Sequence, residues 1–118
     1  MGGILAYELC CKLQKNGCKM PKSVFILGSE PPEYFSSTQY HKLDDKEFKK
    51  KLISIEGIPT ELILTFHLIN GISDTIDRTK LKLWRNYCYR CTMDFVPGNH
   101  FFINSNIYET TRAINKNL

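Results

Sequence analysis

The chain has 118 residues, sixteen of them basic and twelve acidic, for a net charge of +4, with 42% hydrophobic and 24% charged residues. That is ordinary globular composition, enough for one domain with a single core. The lysines are scattered among acids with no basic stripe of interleaved aromatics, so no nucleic-acid surface is expected; no apolar run reaches the roughly 18–20 residues of a membrane span.

The N-terminal stretch "MGGILAYELCCKLQKNG" lacks the basic start of a signal peptide, and Glu8 interrupts its apolar part. Ala6 stands where a myristoylation motif needs Ser or Thr. A cytoplasmic protein is expected. Residues 3–16 read as a helix, with Ile4, Leu5, Leu9 and Leu13 near helical spacing and Gly17 suited to the position after its end. "KSVFILGS" is a short continuous apolar run, as in a strand buried on both faces. "SEPPEYFSSTQYHKL" has prolines and polar residues without period and reads as a loop.

Asp44-x-x-Glu47 forms a capping box ahead of Phe48, Leu52 and Ile55, and Gly57 closes that helix; the sign change within "DDKEFKKKL" marks a solvated face. "IPTEL" opens a shorter helix or turn. "LILTFHLING" is a second buried strand, and His67 inside it reads as a packed core residue. After the polar "ISDTIDRT", "KLKLWRNYCYRC" reads as a helix with Leu81, Trp84, Cys88 and Cys91 on one face. "MDFVP" is a third strand, halted by Pro97. From about Asn106 the tail carries Ile107, Thr111, Ile114 and Leu118 on one stripe of a closing amphipathic helix.

Strands alternating with helices imply an α/β fold of about three parallel strands with helices packed on both faces. Ligands in such sheets bind at the carboxyl ends of strands. Two polar groups stand there: Asp74 after the second strand and His100 after the third. An acid after one strand and a histidine after the next follow the trailing order of the Ser…Asp…His hydrolases. Histidine takes a proton from the nucleophile and returns it to the leaving group, and the carboxylate fixes its tautomer. Asp77 is the second candidate for the acid, and either aspartate could instead cap a helix starting near Thr79. Five cysteines and no secretory signal point to free thiols. "CYRC" has metal or redox spacing, but no second pair accompanies it, so neither a metal nor a cofactor is expected.

These segments resemble the type II thioesterases, α/β-hydrolases that serve nonribosomal peptide, polyketide and fatty-acid synthesis. "PGNHFFIN" is similar to their Gly-x-His-Phe-Phe motif, and "NGISD…LKLW" to their Gly-x-x-Asp…Leu-x-x-Trp segment through Gly71, Asp74, Leu81 and Trp84. "LDDKEFKKKLISIEGIPTEL" resembles the start of their lid. "MGGILAYELCCKLQKNG…PKSVFILGSEPP" resembles the helix and strand that come directly after their nucleophile elbow, Gly-His-Ser-Met-Gly-Gly. The resemblance implies that residues 1–118 are the C-terminal part of a thioesterase domain, with a lid shortened around residues 43–64.

The implied reaction is hydrolysis of acyl or aminoacyl thioesters on the phosphopantetheine arm of an acyl or peptidyl carrier protein. His100 would be the base, Asp74 its orienting acid, and the Met1 backbone N–H an oxyanion donor. The elbow serine falls immediately before Met1 when the motifs are matched, so the chain alone is expected to be inactive. Ser29 and Ser73 lack the tight strand–turn–helix of an elbow and read as loop hydroxyls. The edge of the "SVFILG" strand is expected to be bare, inviting self-association. Alternative readings are a non-catalytic remnant that binds a carrier protein, a truncated gene product, and a metal or redox protein using Cys88 and Cys91.

Overall fold

Three strands, β1 (Ser23–Leu27), β2 (Leu62–Gly71) and β3 (Cys88–Val96), form a parallel sheet in the order β1-β2-β3 in the computed structural model, which describes residues 1–37 and 61–118. The expected α/β sheet of three parallel strands flanked by helices is therefore the fold. Helix α1 is Gly2–Lys15, α2 is the single turn Arg78–Leu81 continued as a 3-10 segment over Lys82–Asn86, α3 is Phe102–Ser105 and α4 is Ile107–Lys116. The capping box at Asp44 and the lid helix lie outside the described residues.

Side-chain alternation along β2 sorts the core into two layers. Leu62, Leu64, Phe66 and Leu68 face Tyr7 and Cys10 of α1 together with Leu81, Trp84 and Tyr87. Ile69 faces the other way, into a smaller cluster with Val96, Phe102, Phe25, Leu27, Ala113 and Ile114 of α4. Both faces are covered, which is why this strand reads as one apolar run rather than an alternating one. Trp84, wholly buried, meets Tyr7, Phe66 and Tyr87 edge-on at centroid distances of 6.3, 5.5 and 5.9 Å.

Several expectations need correction. The run "KLKLWRNYCYRC" is not one helix: the strand begins at Cys88, five residues before the expected "MDFVP". Leu81, Trp84 and Cys88 are all buried, so their spacing correctly marked core positions. Aromatic and β-branched residues from Tyr87 to Thr92 find a ready ladder partner in β2, and that pairing overrides the helical period. In α1 the buried stripe is Ile4, Tyr7 and Cys10, leaving Leu5 and Leu9 exposed. In α4 it is Thr110, flanked by half-buried Ala113 and Ile114, and Ile107 and Leu118 point to solvent. Pro32–Ser37 forms a 3-10 turn inside the expected loop. β1 is only half-buried apart from Ile26, because among the described residues it has β2 on one side and no strand on the other. Beside it, Leu9, Leu13, Met20, Pro21 and Val24 line an open apolar groove of about 520 Å³.

On the α4 face, polar groups are buried as satisfied pairs. His67, 8% exposed, stacks near Phe25 and has Nδ1 2.6 Å from the Thr92 hydroxyl, the packed role expected of it. Asp94 takes hydrogen bonds from Lys116 (2.7 Å) and Asn117 (2.9 Å), latching the end of α4 to β3. Burial lowers the His67 pKa below its ordinary 6.5, with the nearby Asp94 charge opposing. The unfolded chain then takes up a proton near 6.5 that the folded chain refuses until lower pH. Stability should fall as pH drops from neutral through that window. Urea midpoints measured across it should show a flatter pH dependence in His67→Gln than in wild type; parallel curves would refute the assignment.

Candidate active site

The parallel register brings three turns to one end of the sheet: Leu27 pairs with Ile69, and Gly71 with Val96. From those ends the chain continues into Gly28–Ser29, Ile72–Asp74 and Pro97–His100. The second and third turns are stitched by backbone bonds from Ile72 N–H to the Val96 carbonyl and from Ser73 N–H to the Gly98 carbonyl, both 2.9 Å. Their closeness depends on Gly71, where a Cβ would fall 2.4 Å from the carbonyl oxygens of both Gly98 and Asn99. The third turn is fixed by Gly98 at φ +112°, by the Asn99 side chain accepting from Phe101 N–H (2.9 Å), and by Phe102, fully buried in the smaller core cluster.

Asp74 and His100 meet across these turns, with Asp74 Oδ2 3.0 Å from His100 Nδ1. The Asp74 side chain is entirely buried, whereas that of His100 is 53% exposed. The other carboxylate oxygen accepts from Ile76 N–H (3.2 Å) and the Thr75 hydroxyl (3.4 Å). A carboxylate only accepts, so Nδ1 must carry the proton of this contact. Nε2 is thereby left as the ring's free nitrogen.

Asp77, the second candidate, is the N-cap of α2 instead, accepting from Thr79 N–H at 2.8 Å. That hydrogen bond holds its carboxyl below the usual carboxylate range. Met1 caps α1 from outside, its carbonyl accepting from Ile4 and Leu5 N–H. Ser29 is buried, with Oγ 3.3 Å from the Glu30 carbonyl, and its own carbonyl accepts from the Trp84 indole N–H at 2.9 Å. Sequence reasoning missed this last contact, although the motif that contains Trp84 pointed to the residue. Asn70, next to Gly71, is 2% exposed, and its Oδ1 has no hydrogen-bond partner among the described residues.

Cys88 and Cys91 lie in β3 rather than on a helix; Cys88 Sγ is 3.2 Å from the Arg90 carbonyl. The interaction between the two neighbouring thiols lowers the pKa of Cys88 and raises that of Cys91. All five cysteines are free. Among the described residues no group of three or more His, Cys, Asp or Glu is placed to hold a metal ion, and no helix is long and apolar enough to cross a membrane.

A hydrogen-bonded Asp–His pair at neighbouring strand ends of a parallel sheet follows the trailing order of the α/β-hydrolase triad. The sequence matches the thioesterase domain family over residues 1–87, and the chain belongs to that family. The matched span includes Asp74 and Trp84 and stops just before β3. No curated protein matches the chain in sequence. Among solved structures, RedJ, a thioesterase from the prodiginine pathway of Streptomyces coelicolor, is 21% identical with a TM-score of 0.69, covering 95% of this chain and 56% of its own. ClbQ from the colibactin NRPS/PKS pathway is 20% identical with a TM-score of 0.72, covering 97% and 63%. YbtT, a type II thioesterase from the yersiniabactin NRPS/PKS pathway, is 19% identical with a TM-score of 0.69, covering 92% and 58%. These likenesses establish the shared fold, and the chain spans 56–63% of the length of these three relatives.

Proposed function

We propose that this chain carries the acid–base part of a thioesterase site acting on acyl or aminoacyl thioesters borne by the phosphopantetheine arm of a carrier protein, in the cytoplasm. The observation that carries the reading is the 3.0 Å contact between buried Asp74 and exposed His100. In the reaction a serine hydroxyl attacks the thioester carbonyl while His100 Nε2 takes its proton. The same imidazolium protonates the departing pantetheine sulfur, and His100 then activates the water that releases the acid. Asp74 holds the ring's tautomer and balances the charge that forms on it. The Met1 N–H, at the positive end of α1, would serve as an oxyanion donor.

Ser29 does not fit the nucleophile's role, since its hydroxyl is buried in a turn against Glu30. With no serine of the described residues in a nucleophile elbow, residues 1–118 by themselves should have negligible turnover. The alternative is a carrier-protein-binding role without catalysis. In either case the outer side of β1, which has no strand beside it among the described residues, and the apolar groove next to it offer a surface for self-association.

The test is to assay the chain at neutral pH on an acyl-pantetheine thioester, alone and with the N-terminal part of a related thioesterase ending in its elbow serine. Turnover is expected only in the mixture, and should be lost in His100→Ala and strongly reduced in Asp74→Asn. Turnover by the chain alone would mean that another residue had become the nucleophile. Carrier-protein binding without turnover in any mixture would favour the non-catalytic role, and sedimentation of the chain alone reads the self-association.

A further inference from the structure

The turn that ends β1 touches the site without giving it a functional group. Gly28 has φ +60°, the left-handed region in which side chains are strained. A Cβ there would lie 3.3 Å from His100 Cε1, 3.5 Å from its Nδ1 and 3.6 Å from Phe102 Cε1. The turn is itself held on three sides. Gly28 N–H donates to the Ile69 carbonyl (3.0 Å), and the Trp84 indole N–H donates to the Ser29 carbonyl (2.9 Å). The first turn of α1 packs so closely that a Cβ on Gly3 would sit 2.7 Å from Ser29 Oγ. His100, by contrast, is half exposed, so solvent does nothing to confine its ring.

We infer that Gly28 is a positioning residue for His100: its bare Cα is the wall on which the imidazole rests while Nδ1 reaches Asp74. The Gly28–Ser29 turn also ties that wall to the start of α1, so the base is placed relative to the helix that would come after the nucleophile. The inference rests on the reading of His100 as the base. A side chain at position 28 pushes the ring toward solvent, the direction with room, and away from Asp74. Gly17 supplies the matched control, because it has nearly the same backbone, φ +64°, with nothing within 4 Å of a Cβ. Gly17→Ala and Gly28→Ala therefore share the conformational strain, and only the second meets the imidazole.

The experiment is NMR of the histidine rings in the 118-residue chain. The wild type should show a cross-relaxation contact between the Gly28 Hα and His100 Hε1 protons, and His100 as the Nδ1–H tautomer. Gly28→Ala should lose that tautomer in favour of the Nε2–H form that a free imidazole prefers, whereas Gly17→Ala should keep it. An unchanged tautomer in Gly28→Ala, or an equal loss in Gly17→Ala, would overturn the inference. Should Gly28→Ala fail to fold, the wild-type contact decides, and its absence overturns the inference just as well. None of these readouts involves turnover. A chain inactive on every thioester leaves the inference standing, and a tautomer unaffected at position 28 leaves the reaction class standing.

Discussion

Trp84→Ala should lower the free energy of unfolding by about 3–5 kcal/mol, the usual cost of truncating a large buried aromatic. Trp84 is fully buried and touches α1 through Tyr7, β2 through Phe66 and the start of β3 through Tyr87. No neighbour can collapse into the space without giving up a ring contact of its own. The truncation also leaves the buried Ser29 carbonyl without its donor, a loss of about 1–3 kcal/mol when water cannot replace it. Against the roughly 5–15 kcal/mol that holds a domain together, the total is enough to leave much of the chain unfolded. Urea denaturation followed by far-UV circular dichroism measures it. Trp84→Phe separates the terms, because it keeps a ring in the core and removes the N–H. A loss under about 1 kcal/mol for Trp84→Ala would show that the two sides of this layer do not depend on the indole.

Gly71→Ala should do its damage at the site. The added methyl meets two backbone oxygens at 2.4 Å, and neither is the free end of a flexible side chain. The turns after β2 and β3 must separate, which breaks the Ser73 N–H bond to Gly98 and draws Asp74 away from His100. Overpacking of this kind costs about 1–3 kcal/mol. The effect on the acid–base pair should be out of proportion to that cost, since a contact of 3.0 Å does not survive a shift of an ångström. The expected result is a folded chain in which His100 no longer holds the Nδ1–H tautomer, read by NMR of the ring nitrogens. A Gly71→Ala variant that keeps the Nδ1–H tautomer of His100 would mean that the turns can part without disturbing the pair.

The sheet, its parallel sense and both members of the pair were legible in the sequence because each rests on a strong local signal. β2 is bounded in the sequence as in the structure, since "LILTFHLING" is a continuous apolar run ending in a glycine. Asp74 and His100 stood out as polar groups just beyond strands. The choice between Asp74 and Asp77 was not legible, because both precede a helix start at plausible capping distance. In the structure Asp74 contacts His100, whereas Asp77 caps α2. Cys88 was assigned to a helix because its spacing from Leu81 and Trp84 fits a helical face, and only the ladder with β2 shows that a strand uses the same residues. The stripes of α1 and α4 were misplaced for a related reason. Tyr7, Cys10 and Thr110 are buried against particular neighbours, and a count of aliphatic side chains does not rank them.

The register of the sheet also bears on the order in which it forms. β2 and β3 join residues 25 apart in sequence, such as Thr65 and Arg90 (90 − 65), while β1 and β2 join residues 42 apart, such as Ser23 and Thr65 (65 − 23). Closing the longer loop costs only about 0.5 kcal/mol more. The shorter one, however, also encloses Tyr87 and Trp84, whose ring packs edge-on against Phe66. The β2–β3 unit is therefore the expected folding nucleus, with β1 docking after the barrier. Phe66→Leu should chiefly slow folding and Ile26→Val chiefly speed unfolding in stopped-flow measurements; the reverse pattern would place β1 in the nucleus. Asp74 and His100 both belong to the early unit. The pair then comes together first, and the turn that seats the imidazole arrives last, so late folding events decide how well an already formed contact is aligned.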